Sequence, residues 1–260
     1  MSKDFAERSA RRLHRLGAGL AGALAVAASL QPAIAQERVD LELVLLADAS
    51  RSIDDAELRF QRAGYATAIT DPLVLSAVAS GSGRGIAVTY VEWADTASQD
   101  VVVPWTVIDG EASATHFAKA LMAAPRNAFG PNAIGHALAA AHALIQGNDI
   151  EGDRKVIDFS GDRAYSFGGI PIELARSAAL ADDITINGLA ILCGGDCGGR
   201  PVAYDLEAAF AALITGGPGS FVLTADRGDS FAEAVRKKLL LEIAGRTPAP
   251  EPQATLARTD

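Results

Sequence analysis

A chain of 260 residues, 49 % hydrophobic and 21 % charged with two cysteines, can bury a substantial core, which excludes a disordered or disulfide-built protein. Its 23 basic residues are outnumbered by 32 acidic ones, for a net charge of −9. That balance argues against nucleic acid as a partner, because phosphate binding is driven by clustered Lys and Arg.

The chain opens with Arg8, Arg11, Arg12 and Arg15, an apolar run from Leu16 to Leu30, and the small-x-small pattern Ala33-Ile34-Ala35. This order predicts an export signal over 1–35, cleaved near Ala35 to leave a periplasmic or secreted chain. Leu13 and His14 after Arg11-Arg12 favour general secretion over the twin-arginine route. The apolar run is short and rich in Gly and Ala, and no later segment approaches the ~18 continuous apolar residues of a bilayer helix, so no membrane span is expected. One domain is expected over 36–246. Pro248, Pro250 and Pro252 among Ala and polar residues predict a flexible tail over 247–260.

Within the domain, short aliphatic runs alternate with amphipathic segments, the signature of βαβ units. Strands are expected at Leu41 to Ala47, Ile86 to Trp93, Asp100 to Thr106, Lys155 to Ser160, Thr185 to Leu192 and Ser220 to Leu223. Too few residues separate the second from the third for a crossover helix, so that pair is read as antiparallel at one edge. Asp54 with Glu57 predicts a capped helix whose inner face carries Ala56, Phe60, Ala63 and Thr67. Further helices are expected at Ala112 to Ala124, Ala133 to Gln146, Ile170 to Ala181, Leu206 to Leu213 and Ser230 to Ile243. The last has Phe231, Val235, Leu239 and Ile243 at four-residue steps. Six strands with helices on both faces make a doubly wound α/β fold, whose sites lie beyond the carboxyl ends of the strands.

Chemistry-bearing residues collect at those ends. The first strand runs into Asp48-Ala49-Ser50-Arg51-Ser52, a carboxylate and two hydroxyls at alternate positions, a hard oxygen set suited to Mg²⁺ or Mn²⁺. A later strand ends in Ser160-Gly161-Asp162, where Gly161 permits a sharp turn and Asp162 adds a second carboxylate. Pro131-Asn132 opens the helix near Ala133. As an alternative to metal binding, Ser50 or Ser52 could simply cap the following helix.

This arrangement resembles the metal-ion-dependent adhesion site of von Willebrand factor type A domains. Ala87 to Trp93, Ile157 to Asp162, Ile186 to Ile191 and Gly216 to Phe221 resemble an exported bacterial branch of that superfamily, itself of unknown function. The resemblance, which runs from about Val39 to Gly245, implies a mostly parallel six-stranded sheet. It implies that Ser50 and Ser52 bind the cation directly while Asp48 and Asp162 hold it mainly through water. Asn132 stands where a threonine ligand is usual, and Arg163 where glycine is common. The function implied is capture of a partner protein through its Glu or Asp carboxylate, without catalysis, with a shift of the last helix as the superfamily's usual switch. If Arg163 pairs with Asp162, the same scaffold would be a metal-free interaction protein.

Other features carry less. Cys193 and Cys197 predict a small-loop disulfide in an oxidising compartment, since no second Cys/His pair is near enough in sequence for zinc. A serine hydrolase built from Ser50, His136 and Asp162 is the enzyme alternative, but no Gly-x-Ser-x-Gly elbow exists. His136 reads as a helical histidine near the site edge, and Gly81 to Gly85 as a plain loop. Trp93 and Trp105 are expected to pack across an edge hairpin, and Asp158 to be buried and hydrogen-bonded.

Overall fold

The computed structural model describes residues 36–192, 203–226 and 230–245. The expected export signal over 1–35, the expected Cys193–Cys197 disulfide and the expected tail over 247–260 lie outside the described residues. In chain order the elements are β1 (Glu37–Val39), β2 (Leu41–Asp48), α1 (Asp55–Ile69), α2 (Pro72–Ala79), β3 (Ile86–Trp93), β4 (Gln99–Ile108), α3 (Glu111–Ala123) and α4 (Ile134–Gln146). They continue with β5 (Ile150–Gly152), β6 (Lys155–Gly161), α5 (Ile172–Ala181), β7 (Ile184–Leu192), α6 (Leu206–Leu213), β8 (Val222–Asp226) and α7 (Ser230–Ala244).

Six strands form one sheet in the order β4-β3-β2-β6-β7-β8. Every neighbouring pair is parallel except β3 with β4, which is antiparallel, as the short connection between them requires. All eight residues of β2 and of β3 are buried, as expected of parallel strands covered on both sides. One core packs α1, α2, α3 and α7 on one face through residues such as Tyr65, Val74, Phe117 and Leu239. The other packs α4, α5 and α6 through residues such as Leu138, Ala179 and Phe210. From β2 the chain crosses to β3 on one side, and β6 lies on the other. The order therefore reverses between β2 and β6, and a crevice opens beyond their carboxyl ends, where Asp48 and Gly161 stand.

The structure departs from the sequence reading at four places. First, α1 begins with the expected box, Asp54 accepting from the Ala56 and Glu57 amides at 2.8 Å each, but it buries a different face. Ala56 and Phe60 are exposed, while Leu58, Gln61, Arg62, Tyr65 and Ala68 are inside. The reason is polar: Arg62 donates to both oxygens of the buried Glu92 on β3, at 2.6 and 2.9 Å, and to the Ala124 carbonyl at 2.5 Å. Second, α2 was not expected; Asp71 caps it through the Leu73 amide at 2.8 Å, with Pro72 opening the first turn. Third, β1 and β5 make a separate two-stranded parallel ribbon. Fourth, the tryptophans do not pack across an edge hairpin. Trp93 lies on an interior strand and stacks on Phe159 of β6 at 5.2 Å, and the Trp105 indole donates to Leu144 of α4 at 3.3 Å.

Candidate metal and partner-binding site

Three loops meet beyond the β2/β6 crevice. The Ala49 amide donates to the Trp93 carbonyl at 2.9 Å, the Arg51 amide to Gly130 at 2.8 Å, and the Ala133 amide to Ala94 at 2.8 Å. These bonds fix the turn after β2 against the segment that leads into α4. Inside the turn, Asp48 Oδ1 accepts from the Ser50 amide at 2.8 Å. The Ser50 and Ser52 hydroxyls are 3.3 Å apart, and the Ser52 hydroxyl donates to Asp162 Oδ1 at 3.4 Å. Asp48, Ser50, Asn132 and Asp162 are buried, and Ser52 is half-buried. The structure thus brings the two aspartates and both serines into one cluster. Asn132 reaches the same cleft; its backbone carbonyl is occupied by the Phe167 amide at 2.7 Å, which leaves the side-chain amide as its contribution.

The electrostatics are unbalanced. Burial, followed by the charge of Asp162, pushes the Asp48 carboxyl up to about 7. Burial also raises Asp162, although Arg163 and the Ser52 hydroxyl pull the other way. Asp48 Oδ2 is buried with no hydrogen-bond partner, at a point where a Cβ on Gly161 would come within 3.4 Å of it. Arg163 Nε lies 3.8 Å from Asp162 Oδ1, too long for a direct hydrogen bond. Among the described residues no group of three or more His, Cys, Asp or Glu could hold a metal, so any cation here relies on two carboxylates and neutral oxygens. That donor set fits a hard cation. Oxygens sharing one Mg²⁺ at ~2.1 Å stand about 3 Å apart, close to the separations in this cluster.

The cluster opens into a cleft of about 570 Å³ whose walls carry Arg51, Arg163, Tyr165 and Phe167 besides Ser52 and Asn132. The sequence reading missed Arg51, Tyr165 and Phe167; an aromatic pair just after Asp162 in a glycine-rich segment was the available signal. His136 plays another part. Its Nδ1 accepts from the Ile170 amide at 3.2 Å, which tethers the segment carrying Tyr165 and Phe167. The Gly81 to Gly85 loop is pinned by Asp40, which accepts from the Ser82 amide at 2.7 Å.

A second pair of buried carboxylates lies under α7. Lys238 Nζ sits 2.7 Å from Asp158 Oδ1 and donates to Glu242 Oε1 at 2.5 Å, all three side chains fully buried. Asn187, beside Asp158 on β7, donates to the same Glu242 oxygen at 3.0 Å. Asp158 is therefore buried as expected but held by an ion pair and not by hydrogen bonds. Burial, then the Asp158 charge, raises Glu242 to about 7. Arg154 closes the end of the helix by donating to the Glu242 and Ile243 carbonyls at 2.6 and 2.7 Å.

A mostly parallel six-stranded sheet in this order, with helices on both faces, has the fold of a von Willebrand factor A-type domain. Similar solved structures include proximal thread matrix protein 1 from the mussel byssus with a zinc-occupied MIDAS motif (TM-score 0.56, 18 % identity, 79 % of this chain and 48 % of that one). They also include the vWF domain of the type V pili tip protein Mfa5 from Porphyromonas gingivalis (0.51, 11 %, 81 % and 97 %). The pilus adhesin SpaC from Lactobacillus rhamnosus GG is similar too (0.55, 14 %, 79 % and 30 %). The chain spans about half or less of the mussel and SpaC chains. No curated protein matches it. The chain belongs to the family described as "Protein of unknown function (DUF1194)", whose model matches residues 38–247. Among the described residues no helix is long and apolar enough to cross a membrane.

Proposed function

We propose that this chain is an exported, non-catalytic recognition module. It would hold Mg²⁺ or Mn²⁺ with Asp48, Ser50, Ser52, Asn132 and Asp162 and capture a protein partner through a Glu or Asp carboxylate. The bound cation would supply a hard Lewis acid with a coordination position open to that carboxylate. Export is supported by the basic, apolar and small-residue order of 1–35. The observation that carries the metal reading is Asp48 Oδ2: a buried carboxylate oxygen without a hydrogen-bond partner, beside a second buried carboxylate. Such a pair needs a counter-ion or a proton, and two hydroxyls spaced for a hard cation stand next to it. The mussel protein's zinc-occupied motif on the same fold supports a divalent ion at this edge of the sheet.

Arg163 favours a second reading, in which its guanidinium replaces the cation and the scaffold binds partners without metal. One titration separates the two. A ligand that binds only the folded state stabilises it by ~2.7 kcal/mol at one hundred times its Kd. Millimolar Mn²⁺ at about pH 7.5 should therefore raise the melting temperature of the wild-type chain, and should leave Asp162→Asn unmoved. Equal, unshifted melting curves for both would favour the metal-free scaffold.

A further inference from the structure

The predicted cleavage point and the start of the fold coincide. Ala33-Ile34-Ala35 ends the predicted export signal, and the folded unit begins at the next residue, Gln36. No linker separates them, since β1 starts at Glu37 and the Glu37 amide already donates to the Asp149 carbonyl at 3.2 Å. On the export reading above, on which this inference rests, cleavage after Ala35 leaves a glutamine as the first residue of the folded body.

A glutamine in that position carries its own electrophile. Its α-amine can reach the carbonyl carbon of its own side chain, Cδ, and close a lactam. An α-amine is partly unprotonated near neutral pH, so the nucleophile is present without a catalyst. The amine nitrogen bonds to Cδ, the Cδ–Nε2 bond breaks, and the side-chain nitrogen leaves as ammonia with a proton from the amine. No oxidant, water or other reactant is consumed. Because both groups belong to one residue, a bond rotation replaces an encounter between molecules, which is how intramolecular reactions gain rate.

The structure leaves that rotation open. Gln36 is exposed and precedes β1, and among the described residues no hydrogen bond holds its side chain. Glu37, by contrast, is fixed by Asp149 and registers with Ile150. Gln36 can therefore cyclise without breaking a bond of the β1/β5 ribbon.

We infer that Gln36 is a modification site and that the mature chain begins with pyroglutamate. The lactam has no α-ammonium, so the terminal positive charge is lost, and with it the group an aminopeptidase grips. Exposed chain ends are where proteolysis concentrates. Here β1 has only three residues, Glu37–Val39, so trimming from an open terminus would remove the ribbon strand itself.

For the test, the full chain, residues 1–260, is expressed in an exporting bacterium, recovered from the periplasm and held at neutral pH, beside Gln36→Ser. The intact mass of the wild type should be that of a chain beginning at residue 36, less one ammonia. Edman degradation of the wild type should be blocked, and pyroglutamate aminopeptidase should reopen it. Gln36→Ser should read openly from residue 36, and a broad-specificity aminopeptidase should shorten it while leaving the wild type at full length. A wild-type chain that begins at Gln36 with its ammonia retained and its terminus open after prolonged incubation would overturn the inference and leave the export reading standing. Equal trimming of the two chains would likewise overturn it. A chain that keeps residues 1–35, or begins at any other residue, would remove both the cleavage reading and the inference.

Discussion

The molecule buries two pairs of carboxylates and treats them differently. Under α7, Asp158 and Glu242 share an ammonium that the chain itself provides, Lys238, and the cluster is sealed between the sheet and the helix. Beyond β2 and β6, Asp48 and Asp162 have hydroxyls around them and Arg163 at 3.8 Å, but Asp48 Oδ2 has no hydrogen-bond partner and the cluster opens into a cleft. The first pair is built as a fixed joint between the last helix and the central strands. The second is open to solvent, and on the proposed reading it is completed by a cation from solution.

The largest effect should come from breaking the closed pair. Lys238→Met strands two buried carboxylates, and removal of one partner of a buried pair typically costs about 3–5 kcal/mol. Denaturant unfolding should show a loss of that order, larger than from any single change at the open pair. A loss below about 1 kcal/mol would mean that Lys238 is not the counter-ion the packing suggests.

Next comes pH. Glu242 is raised from 4.5 to about 7, so between these values the folded chain holds a proton that the unfolded chain has released. Stability is therefore highest below about pH 4.5 on this account, falls as pH rises towards 7 and does not recover above it. The groups that face it are Asp158, Lys238 and Asn187, with Tyr65 and Arg154 near enough to feel its charge; Lys238 and Arg154 are the cations that offset it. Glu242→Gln should flatten the fall in melting temperature between about pH 5 and pH 7.5. Asp48 contributes with the same sign when no metal is present, since it is raised from 3.8 to about 7. Saturating Mn²⁺ should remove that share, so that variant and metal together flatten the profile more than either alone.

How much of this was legible in the sequence differs between the two clusters. Asp48-x-Ser50-x-Ser52 and Ser160-Gly161-Asp162 could be read because each follows an aliphatic strand, and a doubly wound sheet brings such ends together. The strand set and the antiparallel edge followed from the same alternation of runs. The α7 cluster was not legible, because Lys238 and Glu242 look like the solvated face of an amphipathic helix when only its apolar stripe is counted. For the same reason α1 was turned the wrong way: Arg62 is drawn inward by Glu92, and the apolar Phe60 is displaced to the rim, 5.5 Å from Phe231. Charges that pair only in three dimensions leave no periodic trace. Arg51, Tyr165 and Phe167 were missed because a loop has no period to read.

The smallest effect should come from Asn132. Asn132→Thr exchanges an amide oxygen for a hydroxyl of shorter reach, and Mn²⁺ affinity should change by less than about tenfold if the remaining oxygens carry the site. A larger gain would show that the asparagine weakens the open pair.

The most direct test is calorimetric titration of the purified chain with Mn²⁺ at neutral pH, wild type beside Asp48→Asn. The account predicts one equivalent of Mn²⁺ bound by the wild type, with proton release as Asp48 gives up its proton, and no binding by the variant. A wild-type chain that gives no heat and releases no proton, or a variant that binds Mn²⁺ as well as the wild type, would contradict it.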